Sequence, residues 1–208
     1  MTSGSAAKRA RERQDILDHV RGEQDALARR RRAVLVGATI VGFLVVVGLI
    51  AAALYSARPT QSTDTGPAPD FTLPASDGTT VSLAALRGHP VILYFNEGAG
   101  CDSCIVQMQK IEDEPGFAAD GITVLPIVMN TAEEINAARD LVGVEAPFLL
   151  DDGTVSQAYG TLGTGMHEGL PGHGFVLIDA EGDKTWQGDY PSMWLDPAEL
   201  LAIARERL

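Results

Sequence analysis

Between Ala33 and Leu54 the chain runs for twenty-two residues without a charge, AVLVGATIVGFLVVVGLIAAAL. In an apolar medium such a run can satisfy its backbone polar groups by itself only as a helix. At 1.5 Å per residue that helix is about 33 Å long, against a hydrocarbon core of about 30 Å. The segment therefore predicts a single transmembrane helix over 33–54 and divides the chain into unequal parts. Arg29-Arg30-Arg31-Arg32 stands immediately before it, and only Arg58 follows closely. The positive-inside tendency then puts residues 1–32 in the cytoplasm and everything after Leu54 outside. A cleaved signal peptide ending near Ala51-Ala52-Ala53 is the rival, but signal h-regions usually run only about 7–15 residues. An uncleaved anchor is the favoured expectation.

Charge separates the same parts. Residues 1–32 hold nine Lys/Arg against five Asp/Glu, whereas from Pro59 onward six Lys/Arg face twenty-three Asp/Glu. A domain with a net charge of −17 repels phosphate backbones, so nucleic-acid binding is disfavoured. Residues 6–32 read as a charged helix carrying Ile16, Val20 and Leu27 along one face. Residues 55–69, rich in Pro, Thr, Ser and Gly, have no periodic apolar face and predict an extended, mobile linker.

From residue 70 to 208 short strands and helices alternate. Phe71-Thr72-Leu73 and Thr79 to Leu83 flank Asp77-Gly78, a hairpin signal. Val91 to Asn96 and Ile122 to Met129 read as buried strands, and Phe175 to Asp179 as a third. Cys101 to about Glu112 reads as a helix ended by Pro115-Gly116. Thr131 and Glu134 form a capping-box pattern, with a helix closing at Gly143. Asp196-Pro197 starts a terminal helix. The order predicts a layered α/β domain with a mixed central sheet flanked by helices.

The chain's two cysteines stand in Cys101-Asp102-Ser103-Cys104, just past the apolar strand. A strand delivering Cys-x-x-Cys to the first turn of a helix suits a reversible dithiol. The helix N-terminus carries partial positive charge, which favours a thiolate and lowers a cysteine pKa from its free value of about 8.5. Cys101 is the expected attacking sulfur and Cys104 the resolving one. A purely stabilising bridge across so short a loop removes little unfolded-state entropy. Structural zinc requires four Cys or His ligands, and no second pair follows. Glu97 and Asp102 oppose thiolate formation by like charge.

These pieces together resemble the thioredoxin-fold redoxins, close to the membrane-anchored TlpA/ResA-like reductases and the AhpC/TSA group. The resemblance covers residues 70–208. It rests on Asp70-Phe71-Thr72-Leu73 with Asp77-Gly78, on Val81-Ser82-Leu83 and Arg87-Gly88-His89-Pro90 leading into Val91 to Phe95, on the Cys101/Cys104 pair, and on Phe175 to Asp179 with Glu181-Gly182. It implies a thioredoxin-like fold behind the anchor and a membrane-anchored thiol–disulfide oxidoreductase outside the cytoplasm. Its partners would be protein thiols or disulfides there, together with a membrane-bound electron donor or acceptor, and it would need no cofactor.

The family reductases place an aromatic residue before the first cysteine, where this chain has Asn96-Glu97-Gly98-Ala99-Gly100. They also place a cis-proline opposite the dithiol, and the count back from Asp179 falls on His173, two residues beyond Pro171. Either Pro171 serves after a local bulge or His173 takes the proline's position. The related peroxiredoxins need Thr or Ser three residues before the reactive cysteine and an arginine near the last strand. Here Gly98 and His173 occupy roughly those places, which weighs against an efficient thiol peroxidase. His173, between two glycines, is a candidate proton acceptor for the dithiol, with a loop histidine bonded to a carbonyl as the plainer role. Cys101, Cys104 and His173 could also form a copper-chaperone set of the Sco type, although Sco proteins space their cysteines as C-x3-C. Met166-His167-Glu168 lies in a glycine-rich stretch, 163–174, that could serve as a substrate loop. Trp186, Trp194, Tyr190 and Met193 are expected to pack the last strand and helix.

Overall fold

The computed structural model describes residues 3–56, 58–163 and 168–208, in two compact units of residues 1–56 and 57–208. The first is one helix, α1 (Ser3–Ser56), whose apolar stretch is long and apolar enough to cross a membrane. Its large side chains from Val34 to Leu54 are exposed on all sides. The side chains of Ile16 and Val20 lie outside the described residues, as do Met166 and His167.

The second unit is built on a mixed sheet of β1 (Thr60–Ser62), β2 (Gly66–Pro67), β5 (Val91–Phe95), β6 (Thr123–Val128), β7 (Leu149–Leu150), β8 (Gly174–Ile178) and β9 (Asp183–Asp189). The strand order is β1-β9-β8-β5-β6-β7, and β2 also pairs with β9. β5 runs parallel to β6 and antiparallel to β8. The hairpin of β3 (Thr72–Pro74) and β4 (Thr80–Ser82) forms as the Asp77-Gly78 turn predicts, as a separate two-stranded sheet. A 3-10 turn, Leu83–Leu86, follows it.

β5 has every residue buried, and its alternating side chains feed two cores. Ile92 and Tyr94 face α2 (Asp102–Glu112), α4 (Ala132–Val142) and α6 (Pro197–Arg207), meeting Ile105, Met108, Ile135 and Leu200. Val91, Leu93 and Phe95 face the hairpin and α5 (Thr154–Ala158), meeting Leu73, Val155 and Tyr159. Both faces are thus covered, which is why β5 reads as continuous apolar sequence.

The predicted caps are present. Thr131 and Glu134 form the reciprocal capping box of α4, which ends at a left-handed Gly143, and Asp196 caps α6 with Pro197 in its first turn. Pro115 behaves differently from expectation. It opens a short helix, α3 (Pro115–Ala119), capped by Glu114, because proline suits a first helical turn as well as it stops a helix.

The mobile linker over 55–69 needs correction. Thr60, Gln61 and Ser62 pair with Asp189, Gly188 and Gln187, and Gly66 and Pro67 pair with Lys184 and Asp183. An open β9 edge offers unpaired N–H and C=O groups, and extended Thr/Ser-rich chain is able to satisfy them. Composition alone predicted a free tether; the neighbouring edge makes it part of the sheet.

Candidate active site

β5 ends at Phe95, and the chain crosses to α2 through Asn96 to Cys101. Two buried or half-buried amides hold that crossing. Asn96 donates to Tyr94 O (3.2 Å) and accepts from Gly98 N (2.9 Å), while Asn130 Oδ1 accepts from Ala99 N (2.9 Å). Gly98 has φ +64°, and a Cβ there would overlap Asn130 Oδ1 and crowd Val128. Glycine is required at this point both by backbone conformation and by space.

Cys101 is the N-cap residue of α2 and Cys104 stands in its first turn; the two are joined in a disulfide with a Cα–Cα distance of 5.4 Å. Cys101 O accepts from Cys104 N at 3.0 Å, so the bridge closes without unwinding the helix. The two sulfurs differ in exposure. Cys101 is partly accessible, with Ser103 Oγ 3.7 Å from its sulfur, whereas Cys104 is wholly buried.

His173 precedes β8, and the β5–β8 register pairs Gly174 with Phe95, which sets His173 just beyond the strand end that feeds α2. Its side chain is buried (1% exposed), with Nδ1 3.7 Å from Cys104 Sγ and 3.2 Å from Tyr94 Oη. Tyr94 Oη also donates to Cys104 O at 3.1 Å. The Tyr94 and Phe175 rings stack at 4.6 Å, and His173 meets both edge-on. Burial holds His173 well below its ordinary value, at about 4, so the ring is neutral at neutral pH. Burial likewise pushes the Tyr94 hydroxyl well above 10, keeping it a neutral donor. His173 Nε2 is buried without a hydrogen-bond partner.

Of the residues singled out from sequence, Cys101, Cys104 and His173 converge. Pro171 is buried and bridges to Leu162. His173, on which the count from Asp179 falls, meets the dithiol at Cys104 Sγ. Trp186 and Tyr190 are core residues, but Trp194 is 40% exposed and Met193 sits half-buried at φ +58°. Among the described residues no group of three His, Cys, Asp or Glu side chains is arranged to hold a metal ion, so the copper set gains no geometric support.

Sequence reasoning passed over Tyr94, Asn96 and Asn130 as site residues. A signal existed for Tyr94: a tyrosine in an otherwise aliphatic, fully buried strand must find a partner for its hydroxyl. The asparagines carry no such signal, because their partners are backbone groups of a loop 31 residues away in one case.

A mixed sheet delivering a vicinal cysteine pair to a helix N-terminus defines a thioredoxin-fold thiol redox protein. Comparison with known families takes this further: residues 65–184 match the AhpC/TSA family, and the chain belongs to it. A candidate peroxiredoxin of Mycobacterium tuberculosis is 34% identical over 131 residues, covering 60% of this chain and 83% of that protein. Peroxiredoxin Bcp of Escherichia coli is 30% identical over 121 residues, 55% of this chain and 78% of its own length. Among solved structures, a candidate protein disulfide isomerase from Bacteroides thetaiotaomicron is 28% identical with a TM-score of 0.54, over 68% of this chain and 87% of that one. Peroxidoxin BcpB from Mycobacterium tuberculosis shares the fold at a TM-score of 0.60 and 21% identity, over 69% of this chain and 97% of its own. The chain is thus a redoxin-family oxidoreductase with a Cys101–Cys104 disulfide.

Proposed function

We propose that this redoxin is a thiol–disulfide oxidoreductase anchored by α1, with its dithiol outside the cytoplasm and acting on protein thiols or disulfides there. The observation that carries the reading is the asymmetry of the pair: Cys101 is partly accessible, Cys104 is buried directly behind it, and their bridge closes within one helical turn. A partner thiolate reaches Cys101 Sγ, the Cys101–Cys104 bond breaks, and a mixed disulfide forms on Cys101. Cys104 then attacks Cys101 Sγ and releases the partner in the reverse step.

Peroxidase activity is the second reading, favoured by the relatives that are named peroxiredoxins. The site argues against high efficiency. The position three residues before Cys101 has no hydroxyl, and Asn130 and Val128 leave no room for one. His173 is buried and neutral, so it supplies no cation to polarise an O–O bond.

One comparison of rates separates the readings. The purified full chain in detergent should reduce or oxidise a model peptide disulfide pair rapidly through Cys101, and Cys104→Ser should accumulate the mixed disulfide. Its consumption of hydrogen peroxide should be slow. Peroxide turnover that outpaces disulfide exchange overturns the proposal in favour of the second reading.

The anchoring is supported by the length and all-round exposure of the apolar part of α1, and by the arginine run before it. Protease added to intact protoplasts should digest the redoxin unit and spare an epitope at the N-terminus. Digestion of the epitope with survival of the redoxin unit would reverse the orientation, and a free mature protein beginning near Ala53 would mean a cleaved signal.

A further inference from the structure

We infer that His173 takes the proton of the Cys104 thiol as Cys104 attacks the mixed disulfide held on Cys101. The inference rests on Cys101 and Cys104 being the exchanging pair and adds the group that makes the buried sulfur reactive.

Cys104 needs such a group. Its side chain has no exposed surface, and a thiol in apolar surroundings ionises less readily than a free one. Even at the free value of about 8.5 only a few per cent would be thiolate at neutral pH. His173 Nδ1 lies 3.7 Å from Cys104 Sγ, within hydrogen-bonding distance for sulfur.

Tyr94 allows that nitrogen to change partners. Its single hydroxyl hydrogen has two acceptors at nearly equal distance, His173 Nδ1 at 3.2 Å and Cys104 O at 3.1 Å. When the hydroxyl donates to Cys104 O, and the imidazole hydrogen sits on Nε2, the Nδ1 lone pair is open to the thiol. Nε2 has no hydrogen-bond partner, so the tautomer is decided at Nδ1, where the Tyr94 hydroxyl and the Cys104 sulfur are the polar neighbours.

The step balances. The Cys104 S–H proton passes to Nδ1, and the Cys104 thiolate attacks Cys101 Sγ. The Cys101–Cys104 bond forms as the bond from Cys101 to the partner sulfur breaks, and the electron pair leaves on the partner thiolate. The imidazolium then returns its proton to solvent, because burial disfavours the charged ring once the thiolate beside it is consumed. The groups facing the ring are Tyr94 from β5, Cys104 from α2 and Phe175 from β8. Tyr190, after β9, donates its N–H to His173 O, and its ring meets Phe175. Asp189, at the end of β9, pairs with Gly174 and sets its carboxylate against Gly172 and Gly174 on either side of His173; its side chain is exposed, and partial desolvation holds it above its ordinary value.

The test uses the reduced full chain in detergent and an aromatic disulfide, dithiobis(nitrobenzoate), by stopped flow. Attack by Cys101 releases one coloured thiolate, and resolution by Cys104 releases the second. In His173→Gln the second release should slow on the order of 100-fold at pH 7, the low end for loss of a general base. The first release should stay within about twofold. The variant's second phase should recover about tenfold per pH unit toward the thiol pKa, while the wild type stays nearly flat. An unchanged second phase and pH profile in His173→Gln overturns the role of His173 and leaves the exchange reading intact. A wild type with no Cys101-dependent first release overturns the exchange reading instead. Should His173→Gln fail to fold, nitrogen-15 NMR of the wild-type imidazole decides. Reduction should shift the Nδ1 resonance, and a resonance indifferent to the state of the dithiol refutes the proposal.

Discussion

The outer and inner halves of the redox site lie within one turn of α2, yet they are built from opposite materials. The outer half, Asn96 to Cys101, is a polar crossing held by asparagine amides, with Cys101 partly accessible. The inner half is an enclosure of Tyr94, His173 and Phe175 around a Cys104 with no exposed surface. The difference divides the labour of disulfide exchange. A sulfur that must meet a macromolecular partner needs access, and one that meets only its neighbour needs shielding and a nearby base. The same dipeptide spacing therefore places two chemically identical residues in unlike environments.

The contrast breaks most completely at the outer sulfur. Cys101→Ser should abolish exchange with any partner disulfide, a loss of more than roughly a thousandfold in single-turnover rate, because the buried Cys104 cannot be reached. Cys104→Ser should retain the first thiolate release. If Cys101→Ser retains exchange, the inner sulfur is accessible and the division is wrong.

Gly98→Thr would place the hydroxyl that peroxiredoxins use three residues before Cys101. It should destabilise the unit by about 2–4 kcal/mol in denaturant titration, from the left-handed backbone and the overlap with Asn130. It should fail to raise peroxide turnover. A stable variant with increased peroxide consumption would show that the outer crossing can adapt.

The inner half should reveal itself in the acid limb of stability. His173 is about 4 in the folded protein against an ordinary value of 6.5. Between those values the unfolded chain binds a proton that the folded chain refuses, so stability falls as pH drops through 6.5 and the loss is complete below about 4. Each unit costs about 1.4 kcal/mol, for a total on the order of 3 kcal/mol. The difference between wild type and His173→Gln should follow that window in urea midpoints taken from pH 7 to 4. Parallel pH dependences would mean that the histidine is not shielded.

The smallest effect is expected at Tyr94→Phe, which keeps the ring stack and removes one hydroxyl. A loss of about 1–2 kcal/mol is expected from the donor to Cys104 O and the contact with Nδ1. The rate of resolution should change by less than in His173→Gln, since the base itself remains.

Much of the frame was legible in local pattern. The hairpin around Asp77-Gly78, the fully apolar β5, the capping box at Thr131 and the Asp196-Pro197 start of α6 each follow from interactions within a few residues. The segment after α1 is extended as its composition predicts, but its pairing depends on β9, more than a hundred residues later, whose open edge recruits Thr60 to Ser62. Pro115 is ambiguous in sequence because one residue type serves both to stop a helix and to start the next.

By itself the sequence determined the apolar helix, the strand-to-helix placement of Cys101 and Cys104, and membership among the redoxins. The first two are set by periodicity and short spacing, which act locally; the third rests on the resemblance of the whole run of motifs to the family. Only the tertiary structure decided that Cys104 is the enclosed sulfur, that position 98 has no room for a side chain, and that Tyr94 and His173 share a nitrogen contact behind the dithiol. Tyr94 and His173 stand 79 positions apart. The β5–β8 register sets His173 just past the strand that leads into Cys101, and burial then strips the imidazole of its charge. Sequence spacing carries no measure of that desolvation, because it comes from the residues the fold packs around the ring.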